Sequence, residues 1–425
     1  MLHRILIFAA MAGAVSAQAA TEPTMLQLQQ RIDKLEQQLQ QVENSKPAAP
    51  ETSPGPQAFN PAISLILSGI YGSYSQNPDT PATGFELSPN NHGYTRSFSL
   101  KESELGFSAN IDPLFSGTAT LSLDPDGGIS VENGYVQTTA LGNGYTATFG
   151  RFYSGLGYLN QQHAHTWDFV DQPLVYRTFW DNQLSDDGVQ LKWLAPTDTF
   201  LELGAELARG RNYPGSNRKD NNGAGAEAVY FHVGDDISDS SSWQAGASFH
   251  QTYQHAAEAD AYGVKNSFTG DSYTTGMDFV WKYAPHGNTL VTNFKLQGEY
   301  FQRRRNGLLA YDTASGGSNI TDSFLNAQSG WYLQGVYQWR PYWRAGLRYD
   351  QLNPGSADVG AALVNVPASY SYTPVRYSAM LDWSPSEFSR LRLQYNLDQS
   401  RQSLTDNQLF LQYVMSLGAH GAHIF

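Results

Sequence analysis

Cysteine is absent from the chain, which rules out a disulfide framework and any thiolate metal site. Basic residues are scarce. Lys and Arg number 26 against 39 Asp and Glu, for a net charge of −13. That balance argues against nucleic acid as a partner, because its phosphates call for a cationic face. Beyond residue 20 no continuous apolar run reaches the roughly 20 residues a membrane-spanning helix needs. Any crossing of a bilayer would therefore have to use strands.

What is plentiful fits that alternative. The chain is polar on average yet 13% aromatic, with 25 Tyr, 9 Trp and 39 Gly. A membrane barrel needs apolar side chains only at every second position, plus aromatics at its two interfaces. From Gln408 to Gly418 the pattern is explicit: Leu409, Leu411, Tyr413, Met415 and Leu417 project to one side, Gln412, Ser416 and Gly418 to the other. The chain ends on Phe425, which resembles the terminal signal of Gram-negative outer-membrane proteins. The expected surroundings are outer-membrane lipid and lipopolysaccharide, whose phosphates divalent cations would bridge to acidic surface loops.

The N-terminal part divides into three. Residues 1–19 read as a signal peptide, with Arg4 before the apolar run Ile5–Val15 and a small-residue cleavage site. In residues 22–44, Met25, Leu28, Ile32, Leu35, Leu39 and Val42 follow a 3, 4, 3, 4, 3 spacing. That is the seam of a short coiled coil, and a homotrimer ranks ahead of a dimer; a lone amphipathic helix is the alternative. Residues 45–60 carry Pro47, Pro50, Pro54 and Pro56 and should form an extended spacer.

Period-two alternation runs through residues 61–425 and predicts an all-β transmembrane antiparallel barrel of about 16 strands. Short Pro-containing turns, such as 112–114, 195–198, 340–342 and 384–387, alternate with longer connections. The longer ones are expected near 76–93, 152–186, 210–222, 254–272, 306–324 and 353–369.

If the apolar series faces lipid, the intervening residues face the lumen, and many of these are charged. Arg344, Arg348, Arg376, Arg390 and Arg392 fall on three consecutive strands, with Glu202 and Glu206 elsewhere on the wall. An Arg or Lys facing lipid at mid-depth would cost about 2–4 kcal/mol, so this parity implies a wet interior. Residues 155–182 are too aromatic for an idle solvated loop and are the expected constriction. Asp168 and Asp171 in this loop would oppose the arginines and set a transverse field across an eyelet. Small solutes or ions would pass.

Third-loop constriction, arginine wall, strand number and terminal Phe together resemble the general porin plan. The segments GRFYSGLGYLNQQHAHTWDFVDQPLVYR, DDGVQLKWLAPTDTFLELGAE and SLGAHGAHIF resemble more narrowly a family labelled zinc-regulated, TonB-dependent outer-membrane receptor. That resemblance implies transport and a link to metal supply. Plugged transporters have about 22 strands, whereas only residues 22–60 lie between the signal and the barrel here, so a porin-like channel without a plug is expected.

No cofactor is required on this reading, but the histidines offer Zn2+ ligands. His163 and His165 lie close to Asp168 and Asp171 in sequence, and His420 with His423 forms a second pair. No Gly-x-Ser-x-Gly or His-Glu-x-x-His motif occurs, so an enzyme is not expected. A TonB-linked metal receptor and a purely structural, envelope-tethering barrel are the alternatives.

Overall fold

A computed structural model describes residues 61–87, 93–124, 127–216, 222–315 and 320–418. The expected signal peptide, coiled coil and linker lie outside the described residues, as do His420, His423 and Phe425. Sixteen strands pair in sequence order and close into a barrel. One half of the ring comprises β1 (Ala62–Tyr74), β2 (Ser97–Asn110), β3 (Phe115–Leu123), β4 (Ile129–Thr138), β5 (Tyr145–Tyr153), β6 (Ser185–Leu194), β7 (Phe200–Ala208) and β8 (Ala226–Ser238). The other comprises β9 (Ser241–Ala261), β10 (Val264–Tyr283), β11 (Asn293–Tyr311), β12 (Ile320–Arg340), β13 (Trp343–Val359), β14 (Val375–Ser386), β15 (Ser389–Arg401) and β16 (Leu404–Gly418). The closing seam is antiparallel, from Ser64 opposite Gly418 to Tyr74 opposite Gln408. No sheet edge is left between the strands, as a strand-built membrane crossing requires.

The distribution of polarity is inverted relative to a water-soluble protein. On β15, Leu391, Leu393 and Tyr395 are 38%, 45% and 44% exposed, whereas Arg392, Gln394 and Asn396 are at most 1% exposed. The exposed series is bounded by aromatic rings. Trp343 stacks against Trp383 with centroids 6.0 Å apart near the short turns, and Tyr349 meets Tyr377 at 5.1 Å further along the same strands. Six residues separate the two levels, about 20 Å of strand at about 3.4 Å per residue, with Ala345, Leu347, Ala379 and Leu381 between them. These rings fit the two interfacial girdles of a lipid-facing band.

Several connections expected to be loops are strand. β9 and β10, with 21 and 20 residues, continue through positions 254–261 and 264–272 and are joined at Tyr262-Gly263. Likewise 306–311, 320–324 and 353–359 belong to β11, β12 and β13. A tilted crossing uses only about 9–11 residues, so the rest of these strands stands in water. There His255, Glu258 and Asp260 are exposed while Ala257, Ala259 and Ala261 are buried; the outward apolar series stops, and its loss reads in the sequence as a loop.

Two irregularities interrupt the side-chain parity of the opposite wall. Ile66 pairs with Glu104 but Ser68 with Lys101, so β2 carries an extra residue there. Thr120 pairs with Asn133 and Leu121 with Val131, which leaves Glu132 without a partner on β3. A bulge turns a side chain that strict alternation would send to the other face. Lys101, Ser103 and Glu104 are accordingly all buried, and the Glu132 side chain, only 5% exposed, also turns inward.

Candidate channel constriction

The connection from β5 to β6 folds into the barrel and supplies most of its largest apolar cluster. Leu156, Tyr176, Phe179 and Trp180 are fully buried against Phe301 of β11, Tyr332 of β12 and Leu352 of β13. Trp180 meets Phe301 edge-on at 4.7 Å. A helix, α1 (Leu174–Trp180), follows Pro173 and ends at Asp181 in the left-handed region. So short a helix is unstable alone. Its first amide, Leu174 N–H, donates to Asp350 on β13 at 3.0 Å, and its side chains are held by the wall.

The acids of this loop touch the arginines directly. Asp171 accepts from Arg348 and Arg376, both at 2.8 Å, and from Gln394 and Asn396 at 2.7 and 3.0 Å. Asp168 pairs with Lys295 and with Arg344 at 3.1 Å. Further guanidinium donors reach loop carbonyls. Arg376 donates to Gln172 O and Arg392 to Trp167 O, both at 2.6 Å, and Arg390 donates to His165 O. The expected arrangement, acids and arginines facing one another across an opening, is therefore corrected to a clamp. The cause is the loop's apolar side chains, which seat it against β11–β13 and bring the charges into contact.

Burial alone would raise the Asp168 and Asp171 carboxyls. The Lys295 and Arg344 charges beside the first, and Arg376 and Arg348 beside the second, outweigh it and hold both well below the usual carboxylate range.

Glu206 faces inward as expected and anchors the start of the loop, accepting from Gly155 N–H and Gln190 at 2.8 Å each. Glu202 also faces the lumen, 3.4 Å from His232 Nδ1 and 4.0 Å from Lys192.

His163 and His165 do come together, the first capping and the second within a 3-10 turn at Ala164–Thr166, with rings 5.6 Å apart. Their partners differ from those expected. Asp168 and Asp171 are engaged by the basic wall, and the histidines meet Glu104 and Glu132. His165 Nδ1 lies 2.8 Å from Glu104, and His163 Nδ1 lies 3.3 Å from Glu104 and 3.0 Å from Glu132. Burial disfavours a charged His163 ring, but these carboxylates prevail and raise its pKa well above the ordinary imidazole value. Alternation with Leu105 and Phe107 turns Glu104 inward but cannot show that the loop histidines meet it, and Glu132 sits at a bulge that breaks parity. Glu299 was also missed. It accepts from Leu159 N–H at 2.9 Å, Tyr176 OH at 2.7 Å and Tyr332 OH at 2.6 Å.

With the loop seated on β11–β15, a cleft of about 440 Å³ lies toward β2–β5, lined among others by Lys101, Ser130, Glu132, Tyr153, Trp167 and Gln183.

Sixteen antiparallel strands closed on themselves, with a loop folded into the lumen, have the fold of porin-like outer-membrane β-barrels. The chain is similar to OmpT of Vibrio cholerae. Its loop L8 deletion mutant gives a TM-score of 0.52 at 11% identity over 85% of this chain and 100% of that one. The trimer form of in-vitro folded OmpT gives 0.50 at 10% identity over 84% and 99%. No family model matches the sequence. The chain is 31% identical over 399 residues to an uncharacterized protein of Aquifex aeolicus (strain VF5), covering 87% of this chain and 80% of that protein, and belongs to the same family. None of these proteins is described as a TonB-dependent or zinc-regulated receptor, and sixteen strands differ from the roughly 22 of plugged transporters.

Proposed function

We propose that this chain is an outer-membrane channel, not an enzyme, through which small hydrophilic solutes or ions diffuse. Divalent metal ions, zinc among them, are included as solutes. The observation that carries the reading is the pairing of an apolar exterior with a charged interior, narrowed by a docked loop to a cleft on one side. A wall of that kind is stable only with lipid outside and water inside. Conduction past it would be governed by the cleft's Lys101 and Glu132 together with its aromatic edge. Assembly as a homotrimer in lipid and lipopolysaccharide accords with the trimer form described for OmpT.

The dense packing of the loop favours one second reading, a structural barrel that does not conduct. Planar-bilayer recordings of the purified protein separate the two. Discrete conductance steps are expected, and a silent bilayer containing folded protein would favour the structural barrel.

A further inference from the structure

We infer that Glu104, Glu132, His163 and His165 form a binding site for a first-row divalent cation of the Zn2+ type, fastening the loop to the β2–β4 wall. The donors converge from separate parts of the chain. Glu104 stands beside the bulge in β2 and Glu132 is the unpaired residue of the bulge in β4. His163 and His165 come from the loop. One ligand atom each of Glu104, His163 and His165 lies within 4.8 Å of the other two. His165 Nδ1 lies 2.8 Å from Glu104 Oε1, and His163 Nδ1 lies 3.3 Å from Glu104 Oε2 and 3.0 Å from Glu132 Oε1, pairwise separations near those between ligand atoms on one tetrahedral ion. Bonds of about 2.0–2.1 Å imply edges of about 3.3–3.4 Å. Glu104, His163 and His165 are the convergent set, and Glu132, which meets them through His163, would complete four ligands by a rotation of its side chain.

A second observation points to a ligand. Glu132 Oε2 is buried without a hydrogen-bond partner, on a side chain only 5% exposed. A carboxylate oxygen left in that state is costly, and a coordinated cation would satisfy it. The site also has outer support of the kind that orients metal ligands. Tyr153 OH donates to Glu132, and the Asn133 side chain lies 3.3 Å from His163 Nε2. With His163 Nδ1 on the metal, Nε2 carries the proton, and the Asn133 amide, turned about its terminal bond, would accept it through Oδ1. That oxygen has no partner as it stands. Two imidazoles and two carboxylates suit Zn2+ better than the all-oxygen preference of Mg2+ or Ca2+. Glu132 and Tyr153 also line the cleft, which gives the ion a route in.

The coordination stands independently of the channel proposal, while its effect on current rests on that reading. Calorimetric titration of the full-length protein in detergent with ZnCl2 tests the first. One site is expected to be lost or weakened more than about tenfold in Glu104→Gln and in His163→Ala, and retained in His286→Ala, a control in a distant turn. Glu132→Gln provides a near-isosteric variant, with circular dichroism checking that each protein keeps its β-structure. Co2+ in place of Zn2+ should give the visible absorption of tetrahedral nitrogen and oxygen coordination. Equal stoichiometry and affinity in parent and all three site variants would overturn the site. Bilayer recordings with and without ZnCl2 test the second. A zinc-dependent current, absent in Glu132→Gln, supports fastening of the loop. Zinc heats with unaltered current would remove the fastening and leave the site. A silent bilayer would remove the channel reading while the calorimetry still decides the coordination.

Discussion

Asp171, on a loop inside the barrel, and Arg348, on strand β13, meet at 2.8 Å, and the same guanidinium donates to the Asp171 backbone carbonyl at 2.7 Å. One residue thus fixes both the side chain and the backbone of the other. The contact makes the arginine wall an anchor for the loop.

Removing one partner of such a buried pair leaves the other charge uncompensated, at a cost of about 3–5 kcal/mol. Asp171→Ala should therefore release the loop while the strands stay paired. Hydrogen exchange should show lost protection within 154–184 and unchanged protection in β13 and β14. Single-channel current should rise.

Arg392→Ala removes the donor to Trp167 O, made at 2.6 Å. The expected outcome is a wider passage and a larger conductance. Ion selectivity measured from reversal potentials should shift less than conductance, because this charge is spent on the loop. A large selectivity change at constant conductance would contradict the clamp.

The pH dependence follows from the lowered pKa values of Asp168 and Asp171. A carboxyl whose pKa is depressed on docking contributes stability that is complete above its free value of about 3.9 and is lost as pH falls below it toward the docked value. Loop protection should thus be flat from neutral pH down to about pH 5 and decline only below about pH 4. A decline centred near pH 6 would mean that these acids do not govern docking.

Lipid exposure has its own test. Leu393 lies opposite Leu381, between the levels of Trp383 and Tyr377. Leu393→Arg should cost about 2–4 kcal/mol in denaturant unfolding from lipid vesicles. A neutral result would mean that this face does not meet the bilayer core.

Much of the fold was legible because two-residue periodicity is a local property. Leu409, Leu411 and Tyr413 declare an exterior face without knowledge of any neighbour, and Arg376 and Arg392 declare the interior by the same rule. The parts that were not legible depend on departures from that rule or on tertiary contact. An extra residue in β2 turned Lys101 and Ser103 inward against the Leu105 and Phe107 series, and one in β4 left Glu132 unpaired. Strand outside the bilayer has no apolar outer face, and its buried apolar series of Ala257, Ala259, Ala261 and Phe268 is too small and too interrupted to read as strand, so 254–272 reads as a loop. The His163 and His165 pair was visible in the sequence. Its acidic partners were not, because Asp168 and Asp171 stand nearer in the chain but are claimed by arginines once Phe179 and Trp180 seat the loop.

The rim of the barrel is uneven. β9 through β13 run 17–21 residues, whereas β3 through β6 run 9 or 10, and in a ring of sixteen strands β3 and β11 are diametrically opposed. The mouth is consequently a slanted funnel, with a palisade on one flank and a low sill on the other. If solutes enter as proposed, the flank on which the cleft opens is the one with the lowest wall to cross, and the approach to it is set by backbone length before any side chain is met.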